Sequence, residues 1–202
     1  MKSIPAFVFA LLLLPFCLSG QTSAVRQTYE EFDNLMLAKD GNQAFELLSS
    51  DSKAFVAKVR GLANTADSET LLKEPLPVVL AVFSVRSAAG GTPPTGDGET
   101  LVEMARGYEE SSAMTEMGNI TIDGDTASGE ILVNGNPNPI DYAFVKEDGV
   151  WKVDMASQME DTEKVMMGPV EAAGLSREQF LNQIADAMQT EFSVDVWQPI
   201  EG

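Results

Sequence analysis

The chain has 202 residues, 31 acidic against 13 basic, a net charge of −18, one cysteine and no histidine. Charge of this sign and size is repelled by phosphate backbones and anionic lipid, which argues against nucleic-acid or membrane-surface partners. The missing histidine removes Ser-His-Asp and Cys-His nucleophilic sites, and with a single thiol it removes the usual zinc and copper ligand sets.

Residues 1–24 read as a signal peptide: Lys2 at the start, an apolar run from Ile4 to Leu14, then small and polar residues from Ser19 to Ala24. The run is short and interrupted by Pro5 and Pro15, which argues against a membrane-spanning helix. Cleavage is expected near Gly20 or Ala24, giving a periplasmic or secreted protein with no membrane association afterwards. Cys17 follows Leu14-Pro15-Phe16, and Phe16 stands where a lipidation signal takes a small residue, so no lipid anchor is expected. Losing this segment removes the only cysteine, so the rest must be held by packing without a disulfide.

Residues 26–39 predict a helix. Thr28 and Glu31 fit a capping box, Tyr29, Phe32 and Met36 share a face, and Gly41 offers a stop. A short helix over 42–48 carries Phe45 and Leu48. The Ser49-Ser50-Asp51 cluster then breaks the chain and caps a helix over 52–63, with Phe55, Val59 and Leu62 on one side. Residues 68–73 add a turn or two of helix capped by Asp67 or Ser68. Leu76 to Val85 is almost continuously apolar, which periodicity alone cannot assign; the helices before it and Pro75 at its start favour a buried helix. Residues 87–98 are too rich in Gly and Pro for an element interior and read as a linker, followed by a short helix over 99–107 capped by Asp97.

Residues 112–155 change period. Asp123-Gly124, Asn134-Gly135 and Asp148-Gly149 divide them into four strands, because these dipeptides readily take the φ > 0 geometry of tight hairpins. Ile120 and Ile122, Ile131 and Val133, Tyr142 and Phe144, and Trp151 and Val153 alternate with polar neighbours, so one face is buried and one wet. Beyond Met155 the helical period returns. Residues 157–167 are Met-rich, Gly168-Pro169 is expected to break the chain, and Ser176 with Gln179 caps a helix to about 190 with Phe180, Ile184 and Met188 on its apolar face. Val194 to Trp197 then form a short strand or pack their Trp.

Helices followed by an antiparallel meander make an α+β fold. The organisation expected is a signal peptide (1–24), a cone-like α+β domain (25–155) in which a curved four-strand sheet wraps the first helix, and a C-terminal helical extension (156–202) packed on the same domain. The closing hairpin, Tyr142-Ala-Phe-Val-Lys-Glu-Asp-Gly-Val-Trp-Lys-Val-Asp-Met155, resembles the last two strands of the nuclear-transport-factor-2-like superfamily, the cystatin-like cone shared by SnoaL-type cyclases and ketosteroid isomerases. The opening helix ending at Lys39-Asp-Gly, with a short helix at Ala44 to Leu48, is similar to that family's start. The likeness spans about residues 25–155 and implies a pocket at the open end of the cone. Residues 64–98 are longer and more helical than the family pattern, and the C-terminal helices are an addition.

The expected pocket residues are Tyr29, Phe32, Phe55, Tyr108, Tyr142 and Trp151. Some members of the family use a pocket Asp or His as general base beside a Tyr, but none of their catalytic motifs is matched residue by residue here. Tyr29, Tyr108 and Tyr142 with Asp33 or Asp141 could build a site for proton transfer of that kind, and core or solvated roles explain them more simply. Asp123-Gly-Asp125 lacks the remaining ligands of a calcium loop, and Met155, Met159, Met166, Met167 and Met188 read as core fillers rather than a copper site. Asn119-Ile-Thr121 matches a glycosylation sequon by pattern. No cofactor, metal or catalytic residue is therefore expected. Binding of a small apolar molecule or a protein partner through the cone is the leading reading. The alternatives are an isomerase or dehydratase working through Tyr and Asp, and a structural module whose C-terminal helices form a homodimer.

Overall fold

Val25, Tyr29, Phe32 and Met36 recur at spacings of four, three and four residues, which sets them on one stripe of a helix. All four are buried in the first helix, α1 (Leu14–Leu37), of the computed structural model, which describes residues 14–90, 92–106 and 112–200. Because α1 starts at Leu14, Thr28 is no cap; its hydroxyl donates to the Ala24 carbonyl at 3.1 Å, a bond open to Thr inside a helix. The stop is Lys39 rather than Gly41. Lys39 takes φ 57, its N–H meets Met36 O, and the Asp40 N–H meets Leu35 O, which satisfies the last carbonyls.

Five helices follow among the described residues before the sheet, and the first three are opened by a side-chain cap. Asp40 accepts from Gln43 N for α2 (Gly41–Glu46), Ser49 from Ser52 N for α3 (Ser50–Thr65), and Asp67 from Thr70 N for α4 (Ser68–Leu71). The ambiguous apolar run is helix α5 (Leu76–Ala89). Pro77 falls in its first turn, where a missing N–H costs little, and Gly90 closes it at φ 55. Its sequence is apolar nearly all round because it is enclosed by α3, by α6 (Asp97–Met104) and by the two C-terminal helices. Gly96 rather than Asp97 is the N-cap of α6, and Glu99 accepts from Thr95 N at 2.6 Å and Thr95 Oγ1 at 2.7 Å.

The meander comprises β1 (Thr115–Asp123), β2 (Thr126–Val133), β3 (Asn136–Pro137), β4 (Tyr142–Glu147) and β5 (Val150–Val153), all antiparallel, in the order β1-β2-β4-β5. The two-residue β3 returns briefly on β2 after Asn134-Gly135 and adds to the expected four strands. Both residues of Asn134-Gly135 and of Asp148-Gly149 have positive φ, the type I′ pattern; after Asp123 only Gly124 does. Register aligns Ile122, Ala127, Phe144 and Val153 as one row across the sheet, and all four pack in the core with the α1 stripe. α1 touches both edge strands, β1 and β5. A bulge at 118–119 bends β1, and the Arg26 guanidinium donates to the carbonyls there, Met117 O at 2.9 Å and Gly118 O at 2.8 Å.

Two helices complete the fold. α7 (Met159–Ala172) runs through Gly168-Pro169, contrary to the expected break, and ends where Gly174 takes φ 75 and the Leu175 N–H bonds to Val170 O. α8 (Arg177–Phe192) opens on the expected capping box of Ser176 and Gln179. Leu181 and Ala185 are its buried residues, with Phe180, Ile184 and Met188 packed beside them. The tail forms no strand: Trp197 meets the Phe83 ring edge-on at 4.7 Å. Among the described residues no helix is long and apolar enough to cross a membrane.

Two apolar cores result. One lies between α1, α2, α6 and the sheet; the other joins α3, α5, α8 and the tail. α3 serves both, giving Val56 to the first and Val59 and Ala63 to the second. The second core contains a guanidinium. Arg86 is 1% exposed and donates only to backbone carbonyls: Leu62 O, Ala63 O and Val196 O at 2.9 Å, and Ala66 O. Burial lowers its pKa to about 10, so it stays charged at neutral pH.

Two predictions follow from these contacts. Arg86→Met should lower unfolding free energy by about 3 kcal/mol, because it strands the carbonyls of Ala66, the α3 cap, and Val196 in the tail, while Leu62 O and Ala63 O keep the N–H groups of Ala66 and Ile200; Arg86→Lys should recover only part, having no fork of donors. Urea unfolding measures both. A Cβ on Gly41 would lie 1.9 Å from Gly98 O of α6, so Gly41→Ala should separate α2 from α6 and cost about 2 kcal/mol in the same assay.

Candidate functional site

The strand alternation that sends Ala127 and Gly129 toward α1 sends Ile131 and Val133 to the same side of β2. Ile131 and Val133 lie beyond the stretch of β2 that β4 covers, and they are only half-buried. At this end of the sheet the structure leaves two adjoining hollows. The inner one is a cavity of about 170 Å³ between α1, α6 and the ends of β4 and β5, walled chiefly by Phe32, Met36, Leu101, Met104, Tyr142 and Met155. The outer one is a groove of about 380 Å³ running over Met114, Ile131, Val133, Ile140 and Met159. Tyr142, Met155 and Gln158 border both.

Each wall has a structural reason for its place. Phe32 and Met36 end the α1 stripe. Leu101 and Met104 are brought in by α6, whose N-terminus lies close against α2 through Gly41 and Gly98. Asp154, just after β5, borders the cavity too, and its Oδ1 accepts from Ser49 Oγ at 3.0 Å and Ser52 Oγ at 3.2 Å. Those two serines open α3, and a parallel bridge between Leu48 and Val153 fixes the same junction. Gln158, the residue before α7, donates its side-chain N–H to Asp141 O, while Asp141 Oδ2 accepts from Ser128 Oγ at 2.5 Å.

Of the six residues expected at the pocket, Phe32 and Tyr142 line the inner cavity. Tyr29 is buried behind it, its ring 5.1 Å from that of Tyr142. Trp151 is 4% exposed within the sheet core, with Lys146 Nζ 5.5 Å above its ring. Phe55 packs against the other core, on the helical side. Tyr108 lies outside the described residues. Sequence reasoning missed Met36, Leu101, Met104, Met155 and Gln158. Met36 was legible as the end of a stripe, whereas α6 carried no signal of which core it would meet.

Burial, with Tyr142 and Asp33 nearby, pushes the Tyr29 hydroxyl up to about 12. Asp33 accepts from Ser112 Oγ at 2.8 Å, and Asp141 and Asp154 from the serines named above. Among the described residues no cluster of three or more acidic, His or Cys side chains could hold a metal. Among the described residues the carboxyl whose pKa is raised is Glu103, beside Met104 on α6. Burial and then Glu99 raise it to about 7, and its Oε2 is buried without a hydrogen-bond partner.

No protein-family model, curated protein or solved structure matches this chain.

Glu103 gives a pH-dependent prediction. Its folded pKa lies above its unfolded value, so the charged form is disfavoured in the folded state. The resulting loss of stability is absent below about pH 4.5, grows as pH rises, and is complete above about pH 7. Glu103→Gln should therefore raise the melting temperature at pH 8 and leave it nearly unchanged at pH 4, as measured by calorimetry across that range.

Proposed function

We propose that this is an exported, non-catalytic binding protein that takes a small apolar molecule into the open end of its sheet. One observation carries the reading: the sheet face that α1 covers continues into a cavity of about 170 Å³ with mainly apolar walls. An apolar cavity of about 150 Å³ is large enough to hold benzene, so a ring or short alkyl group of that size suits the inner chamber, with the rest of a larger ligand lying in the groove. Methionines at both levels, Met36, Met104 and Met155 inside and Met114 and Met159 outside, give walls that adjust to shape. The resemblance of the closing hairpin to the nuclear-transport-factor-2-like cones supports a pocket at this end, and residues 1–24 support export.

A binding role suits the site better than turnover does, because the carboxylates bordering it are engaged in hydrogen bonds that hold the fold. Toluene or indole at tenfold excess over Kd should stabilise the protein by about 1.4 kcal/mol, a rise of about 3–5 °C in melting temperature. Ala105→Leu, which fills the cavity from α6, should abolish that rise without lowering the melting temperature of the free protein. A wild-type protein indifferent to every apolar probe of this size would refute the assignment.

A further inference from the structure

The polar groups around the two hollows are unequal in kind. Asp154 borders the inner cavity, and Asp141 borders the outer groove. Beyond Gln158 a third, more polar recess of about 290 Å³ adds Asp161 and shares Asp141. Gln158 stands at the junction of all three. One of its two amide hydrogens is given to the Asp141 carbonyl, which leaves its carbonyl oxygen and one N–H to face the hollows. Among the described residues no Lys or Arg lines any of the three hollows. Lys164, one turn along from Asp161, reaches that residue at 3.4 Å and Glu160 at 2.8 Å, so its charge is matched on α7.

From this we infer that the site selects its ligand by head group: it takes apolar molecules that end in an amine or a hydroxyl, and rejects those that end in a carboxylate or phosphate. The inference rests on the proposed binding role and sharpens it. The apolar part enters the inner chamber, and the head is left at Gln158 and Asp154, where carboxylate and amide oxygens accept its hydrogens. An anionic head there finds at most one amide N–H of Gln158 and no Lys or Arg among the lining residues, beside the like charge of Asp154 in a partly desolvated site. A protonated amine gains charge-assisted hydrogen bonds at the same place. The rest of the chain adds to the bias, since a net charge of −18 concentrates cations and repels anions at its surface.

The test uses one ring with four heads on the full chain at pH 7 and low salt, by isothermal titration: toluene, benzyl alcohol, benzylamine and benzoate, with methylammonium as the ringless control. Benzylamine and benzyl alcohol should bind at least as tightly as toluene, and benzoate about tenfold or more weaker than benzylamine. Asp154→Asn keeps an oxygen for the two serine hydroxyls but removes the charge. It should cut the preference for benzylamine over benzyl alcohol and leave the alcohol unchanged. Benzoate binding as well as benzylamine would overturn the head-group rule while leaving the pocket standing. Methylammonium binding as well as benzylamine would overturn it too, by showing attraction to the surface alone. If toluene and all its relatives fail to bind, the pocket reading falls and the rule falls with it. The wild-type series decides the matter even if the Asp154 variant folds poorly.

Discussion

A helix leaves N–H groups at its start and carbonyls at its end without partners, and in α3 both sets are used to join separate parts of the molecule. At the start, Ser49 and Ser52 bond to Asp154 at the end of β5, and Ser50 N bonds to Glu147 of β4 at 2.9 Å. At the finish, the Arg86 guanidinium takes three carbonyls from the last turn of α3 and its cap and a fourth from the tail. The middle of α3 supplies side chains to both cores. Sheet, helical layer and C-terminal segment are therefore referenced to one element.

The two ends differ in what they ask of the surroundings. Ser49 and Ser52 are buried, and the partly exposed Asp154 carboxylate accepts from both hydroxyls. Arg86 is almost fully buried and has no hydrogen-bonded carboxylate; Asp195 acts on it only through its field. Carbonyl oxygens carry only partial charge, and four of them accept from the guanidinium here. The arrangement is costly to form and costly to break, and it ties residues far apart in sequence. The Arg177 side chain also donates to backbone carbonyls, those of Leu72 and Glu74, but has a carboxylate partner as well, Glu163 at 3.6 Å.

The cavity is a by-product of the same geometry. α1 is long enough to cover the sheet between β1 and β5 but not the far end of β2, where Ile131 and Val133 continue the inward face. α6 closes one side only because Gly41 and Gly98 let it approach α2 without side chains between them. Among the described residues no element fills this space, which is lined by methionine and aliphatic groups. The charged groups at its rim are held by cap and turn hydrogen bonds, so the acidity of the mouth is part of the framework.

Local chemistry was readable wherever one residue type decides a conformation. The turns at Asn134-Gly135 and Asp148-Gly149 and the cap at Ser176 could be placed from sequence, and the caps of α3 and α4 narrowed to Ser49-Ser50-Asp51 and to Asp67 or Ser68, because each depends on neighbours within three residues. Local rules failed where packing outweighed them. α1 continues upstream past the Thr28 signal, α7 runs through Gly168-Pro169, and Lys39 adopts the left-handed conformation beside an available glycine. By itself, then, the sequence determined the α+β order of elements, the pairing of the main hairpins, the acidity, and the absence of histidine chemistry. Only the tertiary structure decided that Arg86 is a hub, that Phe55 and Phe32 belong to different cores, and that Met36, Met104 and Met155 meet around one cavity. Those outcomes depend on which helix reaches which face of the sheet, a long-range packing choice that no short window of residues encodes.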